Sequence, residues 1–108
     1  MSERFEGAFV YMLLCADGAY YVGSYRGADL NVRVAEHNSG FRKTAWTYRR
    51  RPVELVWAEH FARYDEAVAC ERQIKGWSRA KKAALIERDY VTISKLARSK
   101  QNKRGPSS

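Results

Sequence analysis

Five side chains of this sequence suit one chemical task between them: Tyr11, Tyr21, Arg33, His37 and Glu71. Hydrolysis of a phosphodiester needs a Lewis acid on a nonbridging oxygen, a positioned water and stabilisation of charge in the transition state. A lone carboxylate such as Glu71 suits magnesium, which keeps most of its waters and takes only one or two protein ligands. Arg33 can hold a phosphate through two parallel hydrogen bonds. A tyrosine hydroxyl can orient a water, or accept its proton where a metal lowers the phenol's pKa, and His37 can accept or relay that proton.

Taken singly, each residue also has an ordinary structural use. Glu71 and Lys75 stand at i and i+4, in the orientation that pairs on a helix surface. Tyr11 and Tyr21 suit the packing of a β-hairpin, Arg33 a solvated helix face, and His37 the C-terminal end of a helix dipole. Other chemistries find less support. The phosphate-cradling loops GxGxxG and GxxxxGKS/T are absent from the sequence. Ser78-Arg79-Ala80-Lys81 fits the SxxK pattern of penicillin-recognising enzymes, but without its companion motifs, and Ser78 reads as a helix cap. Cys15 and Cys70 form no CxxC pair and read as reduced core residues rather than zinc ligands.

Local patterns place these residues on definite elements. Ala8–Cys15, AFVYMLLC, is a continuous run of β-formers, apolar on both faces, and predicts a strand in the middle of a sheet. Asp17-Gly18 separates it from a second strand containing Tyr20-Tyr21-Val22-Gly23, which predicts a hairpin closed by a type I′ turn. Gly23 marks a bulge or a close approach to the backbone. Asp29 and Gly40 bracket a helix over about 30–38, with Leu30 and Val34 as its apolar stripe. Arg33 and His37, one turn apart, share a face of that helix. Residues 39–52 read as an irregular basic connection ending at Pro52, followed by a third strand over 53–61 that alternates through Val53, Leu55 and Trp57. A helix over 65–76 carries Glu71, Ser78 caps another running to Arg88, and a short helix near 91–97 precedes a mobile tail from Ser99. The expected fold is α+β: a small three-stranded sheet with helices packed on it.

This order of pieces resembles the GIY-YIG endonuclease superfamily, and within it the small single-domain bacterial members. The resemblance rests on FVYMLLCADGAYYVGS, RVAEHNSG, RRPVELVW and the stretch from Glu66 through ERQIKGWSRAKKAALI, and it covers about residues 8–90. The GIY element is Phe9-Val10-Tyr11, without its glycine, and YIG is Tyr21-Val22-Gly23. The resemblance implies an antiparallel three-stranded sheet and hydrolysis of DNA phosphodiesters with one divalent metal, usually Mg2+, with Mn2+ as a substitute. It makes Tyr11 and Tyr21 the motif tyrosines, Gly23 the motif glycine, Arg33 the helix arginine, His37 the following histidine and Glu71 the metal ligand. The setting it implies is DNA repair or recombination. An alternative from another class is a nucleic-acid-binding module of the same fold with little turnover.

The charge distribution bears on the partner. The chain of 108 residues carries a net charge of +8, enough length for one domain and too little for two. Residues 41–52 contribute Arg42, Lys43, Arg49, Arg50 and Arg51 without an acid, and residues 91–108 contribute Lys95, Arg98, Lys100, Lys103 and Arg104 likewise. Such blocks repel themselves unless a polyanion is near. Phe41, Trp46 and Tyr48 are interleaved with the first block, as suits stacking beside phosphates. Gly23, Arg42, Lys43, Arg49, Arg50 and Arg51 are therefore the expected DNA-binding residues. Residues 1–98 are expected to form the nuclease-like domain and 99–108 a basic tail. The longest apolar run, Ala8–Ala16, falls well short of a membrane span and lacks the flanks of a signal peptide, so the expectation is a cytoplasmic protein without a membrane partner.

Overall fold

The computed structural model describes residues 7–40 and 46–97 in full and the backbone of 98–104. Arg42 and Lys43 lie outside the described residues. The chain divides into two compact units, residues 1–76 and 77–108.

The first unit holds β1 (Ala8–Cys15), β2 (Tyr20–Arg26), α1 (Leu30–Ser39), a 3-10 turn (Tyr48–Arg50), β3 (Val53–Phe61) and α2 (Tyr64–Lys75). The sheet is antiparallel with order β2-β1-β3, so the most apolar strand is central, as its composition demands. Ala8, Val10, Tyr11, Met12, Leu13 and Cys15 are all buried. On one face Tyr11, Leu13 and Cys15 pack with Val53 and with Leu30 of α1, and Val34, Leu55 and Tyr21 close around them. Full burial of side chains this size contributes about 1.5–3 kcal/mol each. α2 lies against all three strands and contributes buried Ala67 and Ile74.

Two sequence expectations need correction. The hairpin is not closed by a type I′ turn. Of its loop residues only Gly18 has positive φ, at 88°, and Cys15 bonds both to Gly18 and to Ala19. The loop is therefore a three-residue connection with glycine at the left-handed position. Asp17 keeps negative φ, and its carboxylate accepts from the Ala19 N–H at 3.0 Å. The alternation through Val53, Leu55 and Trp57 also fails. Leu13 pairs with Leu55 but Met12 pairs with Trp57, so a bulge at Val56 turns Trp57 to the opposite face from Leu55.

α1 is capped as expected: the Asp29 carboxylate accepts from the Asn31 N–H at 3.0 Å, and Gly40 ends the helix at φ 76°. Near that end, Asn38 makes a pair of bonds to one residue of β3. Its Nδ2 donates to the Val53 carbonyl at 2.9 Å and its Oδ1 accepts from the Val53 N–H at 2.7 Å.

The second unit is a helix pair, α3 (Arg79–Ile86) and α4 (Tyr90–Arg104). Ser78 caps α3 by accepting from the Lys81 N–H at 3.1 Å. Asp89 caps α4, accepting from Thr92 N–H at 3.1 Å and Thr92 Oγ1 at 2.6 Å. α4 runs on past Ser99, into the segment that composition marks as tail. Nothing from Ser99 to Arg104 breaks a helix, and Gly105-Pro106 follow directly. Among the described residues, no helix is long and apolar enough to cross a membrane.

Candidate active site

The site grows from Tyr11. β1 is buried on both faces, so the Tyr11 ring, 1% exposed, has to find space inside the unit. It finds it over Gly23, its antiparallel partner on β2. A Cβ at position 23 would meet Tyr11 Oη at 2.7 Å, Tyr11 Cζ at 2.8 Å and the Tyr21 ring at 2.9 Å. The close approach that the glycine permits is thus made by the two motif tyrosines themselves.

α1 then brings His37 to the same place. Tyr11 Oη and His37 Nε2 are 3.1 Å apart, and His37 Nδ1 is 2.7 Å from Thr47 Oγ1. Thr47 is 1% exposed and precedes the 3-10 turn. A neutral imidazole donates from one nitrogen and accepts at the other. In one tautomer Tyr11 donates to Nε2 while Nδ1–H donates to Thr47; in the other every donor and acceptor is exchanged. Tyr21 completes the cluster, with its ring centroid 5.3 Å from His37 and 6.2 Å from Tyr11.

Arg33 and Glu71 act on Tyr11 through charge. Burial pushes the Tyr11 hydroxyl well above the usual tyrosine range; Tyr21 and the Glu71 carboxylate push the same way, and Arg33 pulls it down. The resting phenol is therefore neutral. Arg33 sits one turn before His37, with its guanidinium carbon 5.0 Å from the Tyr25 ring centre and Nε 3.6 Å from Glu36 Oε1. That Nε is buried and makes no hydrogen bond; the Glu36 carboxylate is its ion-pair partner. Glu71, 16% exposed, pairs with Lys75 at 2.9 Å, which holds the lysine above its ordinary pKa. The helix-surface pairing at i and i+4 is thus real, on the same glutamate that acts electrostatically on Tyr11.

The basic connection resolves into separate tasks. The Arg50 guanidinium lies 3.9 Å from the centre of the Trp46 ring, donates to the Trp46 carbonyl at 3.1 Å, and faces Asp17 at 3.1 Å. Trp46 in turn stacks on Tyr21, 5.9 Å between centroids at 25°, and keeps 45% of its surface exposed. Arg51 donates to the Tyr48 carbonyl at 2.8 Å and lies over the Tyr48 ring. Arg49 is exposed. Two of the four arginines expected at a DNA backbone, Arg50 and Arg51, also brace the loop that presents Thr47 and Trp46.

Tyr11, Tyr21, Arg33, His37 and Glu71 all fall within the first unit and act on a common hydroxyl. Thr47 and Asn38 are the residues that sequence reasoning missed. Thr47 offered no signal beyond a lone hydroxyl before a Tyr-Arg-Arg turn. Asn38 offered only its place near a helix end. Burial also raises the pKa of both free thiols, Cys15 and Cys70, and neither enters the cluster.

Comparison with known proteins gives consistent findings. The sequence model of the GIY-YIG catalytic domain matches residues 7–84. A UPF0213 protein of Staphylococcus aureus strain Mu3 is 42% identical over 82 residues, spanning 76% of this chain and 96% of its own. Among solved structures, the solution NMR structure of the protein EF2693 from E. faecalis is 30% identical with a TM-score of 0.52, covering 84% of this chain and 93% of that one. The solution NMR structure of the UPF0213 protein BH0048 from Bacillus halodurans is 34% identical with a TM-score of 0.48, over 77% and 85% of the two chains.

Proposed function

This chain belongs to the GIY-YIG catalytic-domain family, a nuclease-type framework, and from that premise we propose that it is a divalent-metal-dependent endonuclease acting on DNA. The observation that carries the reading is the chain of polar atoms from Tyr11 through His37 to Thr47, set beside a guanidinium whose Nε makes no hydrogen bond. A purely structural tyrosine buried in a central strand needs one partner; this one has a titratable imidazole that is itself held at its second nitrogen.

The donor set fits Mg2+, or Mn2+ in its place. Among the described residues, no group of three His, Cys, Asp or Glu could enclose an ion, so Glu71 would hold it as a lone carboxylate alongside water. Lys75 competes for that carboxylate, but it is half-exposed and flexible enough to yield. When bound, the ion would supply Lewis-acid activation of the phosphate and the water.

The remaining steps belong to the protein. The Arg33 guanidinium donates to a nonbridging phosphate oxygen. Tyr11 Oη takes a proton from the attacking water while passing its own to His37 Nε2, so the costly buried phenolate never accumulates. Thr47 accepts from His37 Nδ1–H, which selects the tautomer that leaves Nε2 open to receive the proton. Tyr21 helps to orient the water. DNA is the substrate class we assign, in the setting of repair or recombination.

The test is a panel of labelled duplex, single-stranded, flap and branched DNA, with and without Mg2+ or Mn2+. Cleavage should require metal and be lost in Glu71→Gln, while DNA binding in EDTA persists. Unchanged cleavage by Glu71→Gln overturns the site. A second reading, a binding module with little turnover, draws on the Glu71–Lys75 ion pair, which occupies the ligand. Tight binding with no cleavage of any substrate in either metal would decide for it.

A further inference from the structure

The two compact units divide the chain's charge very unequally. In residues 1–76 eleven Lys and Arg meet ten Asp and Glu. Several of these are joined in ion pairs: Arg33 with Glu36, Arg50 with Asp17, Arg63 with Asp65 and Lys75 with Glu71. In residues 77–108 nine Lys and Arg meet only Glu87 and Asp89. Nearly all of the net +8 therefore belongs to the helix pair. Asp89 is already engaged in capping α4, with its carboxyl held below the usual range by Thr92.

α4 orders this charge. Lys95, Arg98, Lys100, Lys103 and Arg104 all fall on one continuous helix. Nine steps of about 1.5 Å each separate the first of these backbone positions from the last, roughly 13 Å along the helix axis. Duplex DNA carries one negative charge per about 1.7 Å of its axis, so a stretch of that length is met by several phosphates. From Arg98 to Arg104 no residue is apolar, so this half of α4 has no face to insert into lipid and would recognise a partner through charge and hydrogen bonds.

We infer that the α3–α4 unit is a backbone-binding module that holds duplex nucleic acid through α4, independently of the catalytic cluster. This adds non-specific affinity to a first unit whose net charge is close to zero. The choice of nucleic acid over other polyanions rests on the nuclease reading above; the binding itself does not depend on turnover.

The test uses the full chain in EDTA with a fluorescent 30-bp duplex, measuring Kd from 50 to 200 mM KCl. Each phosphate contact contributes about 0.9 to the slope of log affinity against log salt. Replacing all five cations by glutamine, itself a good helix former, should weaken binding at least tenfold at 100 mM KCl and flatten the slope by about 2 or more. Exchanging each Lys for Arg and each Arg for Lys at the same positions should leave the slope unchanged. Lys95→Gln with Arg98→Gln should fall between, and keeps the test decisive if the five-fold variant misfolds. Equal Kd and slope in the glutamine variants overturns the inference. So does binding to phosphatidylglycerol vesicles but not to duplex. A chain that cleaves nothing yet binds with an α4-dependent slope would overturn the nuclease reading and leave this one standing.

Discussion

Tyr11 and His37, 26 residues apart in sequence, bring their polar atoms to 3.1 Å and so join the central strand to α1 at the middle of the site. If that contact carries a proton, removing either end should matter to turnover and not to binding. Tyr11→Phe and His37→Ala should each lower metal-dependent cleavage by about 10²–10⁴-fold, the range for loss of a general acid or base. Quenched-flow or gel-based single-turnover rates measure this, with affinity in EDTA as the control. Full activity in Tyr11→Phe would remove the phenol from the reaction.

The raised Tyr11 pKa also has a stability consequence. Above pH 10 an unfolded tyrosine loses its proton while the buried one keeps it, so the folded state binds more protons and stability falls as pH rises. The contribution is fully present below pH 10. It is lost by about 1.4 kcal/mol for each pH unit above that until the folded group titrates. Urea titrations between pH 9 and 11.5 should show this decline, and Tyr11→Phe should remove its share of the slope.

Gly23→Ala tests the packing of the two tyrosines. The added methyl would lie 2.8 Å from Tyr11 Cζ, a ring atom within the packed unit rather than a flexible end. Overpacking of this kind costs about 1–3 kcal/mol. Displacing the ring should also break its bond to His37. Denaturation midpoints and cleavage should therefore fall together, and deleting only the hydroxyl in Gly23→Ala/Tyr11→Phe should not restore stability.

Thr47 is argued to act through His37. Thr47→Val keeps the shape but leaves Nδ1 without its partner, at a cost of about 1–3 kcal/mol. The distinguishing readout is the imidazole itself: 15N shifts of His37 should show a mixture of tautomers in Thr47→Val and a single one in the parent. Thr47→Ser should restore both the tautomer and turnover. An unaltered tautomer in Thr47→Val would reduce the residue to packing.

Asn38→Ala removes both bonds to the Val53 main chain and leaves a strand N–H and carbonyl unpaired. A loss of about 2–4 kcal/mol is expected from two such bonds in a partly buried setting. Because His37 is the neighbouring residue, hydrogen exchange at Val53 and the His37 ring signals should loosen together.

Much of this architecture was legible in advance, and the reasons differ by element. β1 was readable because an unbroken apolar run fits only a strand covered on both faces. α1 was readable because Asp29 and Gly40 each satisfy a specific need of a helix end. Arg33 and His37 followed from a spacing of four. The bulge at Val56 was not readable, since Val, Leu and Trp tolerate either face and only pairing with β1 fixes which. The duties of Arg50 and Arg51 were hidden for a related reason. A run of arginines looks the same in sequence whether or not its members also lie over rings such as those of Trp46 and Tyr48. The length of α4 was lost to composition, because its second half, from Arg98 on, has no apolar positions and so shows no periodicity to read.

The placement of Tyr11 on the innermost strand carries one more consequence. Its hydroxyl acquires its full set of neighbours only when β1, β2, α1, the Thr47 turn and α2 have all docked, which requires nearly every residue up to Lys75. A nascent chain still short of α2 would lack part of that set, since Glu71 is on α2. On the nuclease reading proposed above, loss of any one of these elements would silence the site.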